Sequence, residues 1–214
     1  QIVLAIPLTL LRRVQLDVGI PAQQQRAIAQ VDYGTNAKLM IGFSERVWRT
    51  RHNASGTTFA DLGYQTTWET SRGQDGRAGV ITNFTGGRNG AQLGTGTPAE
   101  QAQRTVSMFE RVFPGAEAAR AGMREARFHW PTHEWTQGSY ACLSPGQWTQ
   151  FRGLLGGRIG GVHIIGEHAS MEAQGFMEGG CETGEQAAQA ILRARRVAAT
   201  PVSRRDSLAA ALPR

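Results

Sequence analysis

Gly161-Val162-His163-Ile164-Ile165-Gly166-Glu167-His168 is followed, after a short spacer, by Gly175-Phe176-Met177-Glu178-Gly179-Gly180 and then by Glu182-Thr183-Gly184-Glu185-Gln186-Ala187-Ala188. The apolar run up to Ile165 spells a short buried strand, and the Ala-rich run at the end spells a helix. The glycines therefore fall where a strand hands over to a helix N-terminus. At such a terminus the first backbone N–H groups lack partners within the helix and point outward together, and glycines let a flat ligand approach the chain closely. The arrangement suits an anionic or electron-rich group. A strand, a glycine turn and a helix also describe a generic α/β crossover, so the rest of the chain has to decide.

Upstream, Gln1-Ile2-Val3-Leu4-Ala5-Ile6-Pro7 reads as the body of a strand, with its exit running to about Asp17. Pro21 to Ala29 reads as a helix with proline near its first turn, where the missing N–H costs nothing. Lys38-Leu39-Met40-Ile41-Gly42-Phe43 alternates and is rich in apolar residues, as a sheet strand is. From Arg49 to Gly96 the chain is rich in Gly, Thr and Asn, with strand-like pieces such as Gly79 to Phe84, which predicts an antiparallel sheet with long loops. Pro98 opens a helix to about Phe113, closed by Pro114-Gly115, and a second short helix covers Ala116 to Met123. Ala126 to Trp135 reads as extended. Gly156-Gly157-x-x-Gly160-Gly161 has the wrong frame for a dinucleotide fingerprint and reads as a turn before the last strand. The fold class is α/β, of the α+β kind.

At 214 residues the chain is long enough to bury a core. Its 27 glycines exceed average usage, in keeping with long loops. The formal net charge of +6 raises nucleic acid or an anionic membrane as partners. The arginines are scattered, however, with the densest cluster around Arg193, Arg195, Arg196, Arg204 and Arg205, so the expectation is a solvated basic surface and no nucleic acid. No apolar run approaches the roughly 20 residues that span a bilayer. Cys142 and Cys181 make neither a disulfide framework nor a metal quartet and read as small buried side chains. Pro131 between His129 and His133 argues against the helical spacing that a metal pair would need, so no metal site is expected.

Lys38 stands out among the side chains that can do chemistry. In the middle of an apolar strand a lysine must snorkel to water or be held by a partner, since an unpaired buried ammonium is expensive; a lysine guarding a strand edge against aggregation is the plainer alternative. Trp130-Pro131-Thr132-His133-Glu134-Trp135-Thr136-Gln137-Gly138-Ser139-Tyr140 adds aromatic faces that could orient an amine and exclude water.

Together these blocks closely resemble the flavin-dependent amine oxidase family, which includes monoamine, polyamine and L-amino-acid oxidases. The resemblance implies an FAD cofactor. Glu167, after Gly166, is expected near the ribityl and phosphate groups, and Gly175, Phe176 and Met177 beside the isoalloxazine ring. It also implies that Trp130 packs by the flavin, that Tyr140 and Phe176 form opposite walls of an aromatic cage for a small-molecule amine, and that Lys38 holds a water against flavin N5. Many relatives carry Tyr or Trp where Phe176 stands, so the cage would keep its shape and lose a polar handle. Some relatives attach FAD through a cysteine immediately before the tyrosine; that position is Ser139 here, so non-covalent FAD is expected. The implied reaction takes an amine to an imine by hydride transfer, with O₂ returned as H₂O₂.

In that family the Gln1 to Leu11 block occurs well inside the protein, where the chain leaves the dinucleotide-binding domain. The expected organisation is an exit strand over residues 1–17, a substrate-binding domain over 18–125, a C-terminal segment of a Rossmann-like FAD domain over 126–198 and a flexible tail over 199–214. The dinucleotide fingerprint is absent from these residues. An N-terminal dinucleotide-binding half, as a separate chain or a missing segment, is therefore the expected partner, with homo-oligomerisation left open. Two alternatives stand beside this reading. One is an L-amino-acid oxidase, for whose substrate carboxylate Arg49, Arg51 and Arg72 are available. The other is a non-catalytic partner chain.

Overall fold

A computed structural model describes residues 1–199, and the expected tail beyond them lies outside the described residues. The chain opens with strand β1 (Ile2–Leu4), a short helix α1 (Leu8–Leu11) within the stretch expected to be only a strand exit, and α2 (Ala22–Gln30). Next come β2 (Ala37–Phe43), α3 (Val47–Thr50), β3 (Thr58–Phe59), β4 (Thr66–Glu69), β5 (Gly79–Thr85), α4 (Gly87–Leu93), α5 (Pro98–Phe109), α6 (Ala116–Arg120) and β6 (Glu125–His129). A 3-10 turn at Trp130–Thr132 replaces the extended chain expected there. The last elements are α7 (Gln147–Phe151), β7 (Gly157–Ile159), β8 (Val162–Ile164), a 3-10 turn at Glu167–Ala169 and α8 (Met177–Ala199).

Five strands form an antiparallel sheet in the order β3-β4-β5-β2-β6, and three form a small mixed sheet in the order β1-β8-β7. In the larger sheet β2 shows why the sequence alternates. Ala37, Leu39, Ile41 and Phe43 are buried on one face, while Lys38, Met40 and Gly42 point to the other and are only half-buried. The buried face is covered by α5, whose Ala102, Val106 and Phe109 repeat at helical spacing. Thr97 and Glu100 close a capping box at its start. The helix ends at Phe109 rather than Phe113 because the Glu110 carboxylate accepts from the Gly115 and Glu117 amides at 2.8 Å each, bracing a turn onto α6. Phe113 remains buried against Phe109, with ring centroids 4.9 Å apart.

In the small sheet β1 runs parallel to β8, and β7 forms an antiparallel hairpin with β8. Gly160 and Gly161 make the expected turn, but Gly157 already belongs to a strand. Leu8, Leu11, Ala27, Ile28, Val31, Phe151 and Leu155 pack in one cluster with Val162 and Ile164 of β8. Packing therefore draws the division of the chain elsewhere than at residues 17 and 125. Helix α2 belongs with the small sheet, β6 belongs with the large one, and the crossings fall between Val31 and Ala37 and after His129. Both cysteines, expected to be buried, are exposed. Cys142 sits on a surface segment that pairs edge to edge with Asp32 through its amide, and Cys181 lies on the outer side of α8.

Candidate functional site

The half-buried face of β2 opens onto a cleft of about 500 Å³ between the large sheet and the turn that leads into α8. Lys38, Trp130, Tyr140, Gly175 and Met177 all line it. They come from segments as far apart in sequence as β2 and α8, and the folds around both sheets are needed to bring them together.

Strand register places Lys38 opposite Phe84 of β5 on one side and Phe128 of β6 on the other. Its ammonium lies 5.7 Å from the Trp68 ring, 5.8 Å from the Phe84 ring and 5.7 Å from the Trp130 ring. Among the described residues it has no carboxylate partner. The demand for a partner in an apolar strand is met by three aromatic faces, each contributing about 0.5–1 kcal/mol where solvent reaches and more where it does not. Trp68 and Phe84 were not singled out from sequence. Phe84 becomes visible only once the β2–β5 register is known, and Trp68 only as the residue beside it on β4, 5.8 Å away ring to ring.

Tyr140 is placed by the segment on either side of it. The Gly34 amide donates to the Tyr140 carbonyl at 2.8 Å, and the Ser139 amide donates back to the Gly34 carbonyl at 2.9 Å. Gly34 must be glycine here, because a Cβ would run into Ser139 Oγ and Asn36 Oδ1. The Ser139 hydroxyl donates to Asn36 Oδ1 at 2.6 Å, which ties the loop to the residue two before Lys38. Tyr33 lies beneath; its hydroxyl accepts from the Leu8 amide at 2.9 Å, and burial pushes its phenol up to about 12.

Glu167 and Gly166 lie at the C-terminal ends of the parallel strands β1 and β8, beside a second cavity of about 190 Å³ that Ser139 also lines. Ligands of open α/β sheets bind at such strand ends. The Glu167 carboxylate accepts from the Ala141 amide at 2.9 Å and from the Gly175 amide at 2.7 Å. Burial raises its pKa, and the two amide bonds offset this in part. His168 is buried with its ring against Gly166; its Nε2 has no partner, and burial lowers its pKa to about 4. Phe176 is 70 % exposed outside the cleft lining, and among the described residues no ring contact joins it to Tyr140.

Gly179 and Gly180, expected before the helix, lie in the first turn of α8. A Cβ at Gly179 would collide with the Ala173 carbonyl, so this glycine lets the preceding turn approach the helix. Met177 at the helix start is 92 % exposed, which leaves the first turn open toward the cleft.

Other candidates lie elsewhere. Arg49 pairs with Glu69 and Arg51 with Glu45, and neither they nor Arg72 line the cleft. His129 Nδ1 meets Thr132 Oγ1 at 2.9 Å, and the His133 ring packs on Phe128 with ring centroids 5.0 Å apart. Among the described residues no helix is long and apolar enough to cross a membrane.

The sequence model of the family described as flavin containing amine oxidoreductase matches residues 1–192. An L-amino acid dehydrogenase of Synechocystis sp. is 32% identical over 89% of this chain and 40% of its own length. A flavin-containing amine oxidase of Danio rerio is 26% identical over 89% of this chain and 37% of its own. The chain thus spans about two fifths of the length of these relatives. Among solved structures, the cyclohexylamine oxidase of Brevibacterium oxydans superposes with a TM-score of 0.79 at 23% identity, covering 91% of this chain and 43% of that one. A putrescine oxidase bound to putrescine gives 0.77 at 21% identity, covering 89% and 42%. At these identities the superpositions speak for the fold.

Proposed function

The chain belongs to the flavin-containing amine oxidoreductase family, and on that premise we propose that it supplies the substrate side and the ring-facing side of an FAD-dependent amine oxidase. Its dinucleotide-binding half would come from a further segment or a separate chain. The observation that carries this reading is the convergence of Lys38, Trp130, Tyr140, Gly175 and Met177 on one aromatic-lined cleft.

The residues present suit a flat aromatic cofactor. Trp130 and Tyr140 offer ring faces, the first turn of α8 is open beside Met177, and the strand ends of β1 and β8 carry a cavity bordered by the buried imidazole of His168. Trp130, Gly175, Phe176 and Met177 would hold the ring, and Gly166 and Glu167 would lie along the ribityl chain. When bound, the flavin supplies the acceptor for the hydride that leaves the carbon beside the amine nitrogen. Tyr140 and Phe176 would flank the amine and orient that carbon. The ammonium of Lys38 would hold a water in the cleft and favour a neutral over a charged amine beside it. With the Ser139 hydroxyl engaged by Asn36 and Cys142 exposed beyond the tyrosine, the cofactor would be held without a covalent bond.

The test is anaerobic addition of amines to the chain assembled with its dinucleotide-binding half and FAD. Bleaching of the flavin by a primary amine, followed by peroxide on admission of O₂, is the expected result. Absence of bleaching by every primary amine and L-amino acid tried would leave the non-catalytic alternative. Release of yellow cofactor on acid precipitation is expected for non-covalent FAD.

A second reading is favoured by the similarity to an L-amino acid dehydrogenase. In that case an α-carboxylated amine would bleach the flavin faster than its decarboxylated counterpart. Turnover would need a dye acceptor in place of O₂, and the carboxylate would have to be met by Lys38 or by a cation outside the described lining, in which no arginine stands.

A further inference from the structure

We propose that Glu167 is a positioning residue, whose single carboxylate sets the spacing between the Tyr140 ring and the turn that opens α8 by holding the segment after Tyr140 and the turn before Phe176 at the same time. This rests on the amine oxidase reading only for what binds against Tyr140.

The geometry is a two-point clamp. Oε1 accepts from the Ala141 amide at 2.9 Å and Oε2 from the Gly175 amide at 2.7 Å. Ala141 directly follows Tyr140, and Gly175 directly precedes Phe176. A planar carboxylate is an acceptor only, with two oxygens a fixed distance apart, so two amides bonded one to each oxygen cannot drift independently. The Tyr140 ring and the turn come close at this point: a Cβ on Gly175 would meet Cδ2 of Tyr140 at 3.6 Å.

The clamp is itself anchored. Glu167 opens a 3-10 turn closed by the Ala169 amide on the Gly166 carbonyl at 3.0 Å and the Ser170 amide on the Glu167 carbonyl at 3.1 Å. The hydroxyl of Thr183 on α8 accepts from the Gly166 amide at 3.1 Å, which fixes the turn to the long helix. The His168 ring fills the space over Gly166, whose φ of +141° suits glycine. On the far side the Tyr140 segment is tied to Asn36 and so to the strand bearing Lys38. One carboxylate thus completes a hydrogen-bonded path from the lysine strand through Tyr140 to the start of α8. A residue whose only task was to touch the cofactor would not need both oxygens turned to backbone amides.

Amide hydrogen exchange on the full chain tests this without flavin. In the wild type, the Ala141 and Gly175 amides should be protected well beyond their loop neighbours; exchange at the rate of open loop amides would end the proposal at once. In Glu167→Gln one acceptor oxygen becomes a donor, so one of the two amides should exchange about tenfold faster or more, while those of β2 stay unchanged. Glu167→Asp, one methylene shorter with its charge kept, should release one amide and serves if the glutamine variant does not fold. In the flavin-loaded enzyme, the glutamine variant should raise KM more for a bulky amine than for a slender one, with kcat less affected. Unchanged exchange with weakened FAD binding would instead make Glu167 a plain cofactor contact and overturn the proposal. Protected amides in an enzyme that no amine reduces would sink the functional reading and leave the clamp standing.

Discussion

Two carboxylates, Glu69 buried at the end of β4 and Glu167 half-buried just beyond β8, are treated in opposite ways. Glu69, 3 % exposed at the end of β4, accepts from Trp48 Nε1 at 3.0 Å, Arg49 Nε at 2.5 Å and Ser71 Oγ at 3.1 Å, with Arg46 Nε at 3.3 Å. Burial opposes its ionisation, but the hydrogen bonds and the Arg49 charge outweigh burial and hold its pKa below the ordinary carboxylate range. Glu167, beside the cleft, has backbone amides and, among the described residues, no cation partner, and burial keeps its pKa raised. The fold spends guanidinium charge where it needs rigidity. Beside the cleft it uses neutral amides, which hold geometry without bringing another cation near Lys38.

The largest expected effect breaks the first of these sites. Glu69→Gln leaves the half-buried cations of Arg46 and Arg49 without their counter-charge, and removing one partner of a buried pair costs about 3–5 kcal/mol. The lower figure is the better guide, because the Arg49 side chain is 43% exposed and water screens it. Urea unfolding of the variant should show the midpoint fall with no change in slope.

Acid comes next, acting through His168. Its folded pKa of about 4 lies below the ordinary 6.5, so the unfolded chain binds the extra proton first and stability falls as pH drops from about 6.5 towards 4. The loss amounts to about 3 kcal/mol. Glu69, with its lowered pKa, contributes stability that is present above the ordinary carboxylate value of 4.5 and lost as pH falls below it. An acid loss between about pH 6.5 and 4 and a further one below 4.5 are expected in the urea midpoint, and Glu69→Gln should weaken only the lower one, to which Glu45, Glu100 and Glu110 also contribute.

The long apolar-to-helix block around Gly166, the alternation of β2 and the proline-led start of α5 could be read directly, because each is a local pattern of period two or 3.6 or a proline at the first helical turn. What escaped depends on pairing. Trp68 and Phe84 reach Lys38 through cross-strand register, which sequence periodicity does not encode. The same limit explains the division of the chain. Helix α2 looks like part of whatever follows it until its Ala27 and Ile28 are found packed with Val162 and Ile164, about 135 residues further along the chain. The exposed cysteines show that residue type sets a tendency for burial while the face of the element decides. For the site, the resemblance pointed to Lys38, Trp130, Tyr140, Gly175 and Met177, which share one cleft, and to Phe176, which stands outside its lining.

Lys38→Met separates chemistry from fold on the cleft side of the comparison. Methionine keeps the length and the apolar contact with Trp68, Phe84 and Trp130 while removing the ammonium. Stability should change little. On the proposed reading, turnover by the assembled enzyme should fall about a hundredfold, the scale of a positioned proton-handling group, with flavin content unchanged in the absorption spectrum. Equal turnover would return Lys38 to a structural role.

The smallest expected effect is the most telling about the two carboxylates. Because the folded pKa of Glu167 is raised, the folded state binds its proton more readily than the unfolded chain, and stability increases as pH falls through the window between its folded pKa and 4.5. At neutral pH the ionised carboxylate therefore carries a net cost that offsets part of the one amide bond lost, so Glu167→Gln should lower global stability by no more than about 1 kcal/mol, in contrast to Glu69→Gln. Parallel urea curves at pH 7 give the comparison directly. A large destabilisation by Glu167→Gln would mean that this carboxylate, like Glu69, holds up the fold rather than the spacing of the cleft.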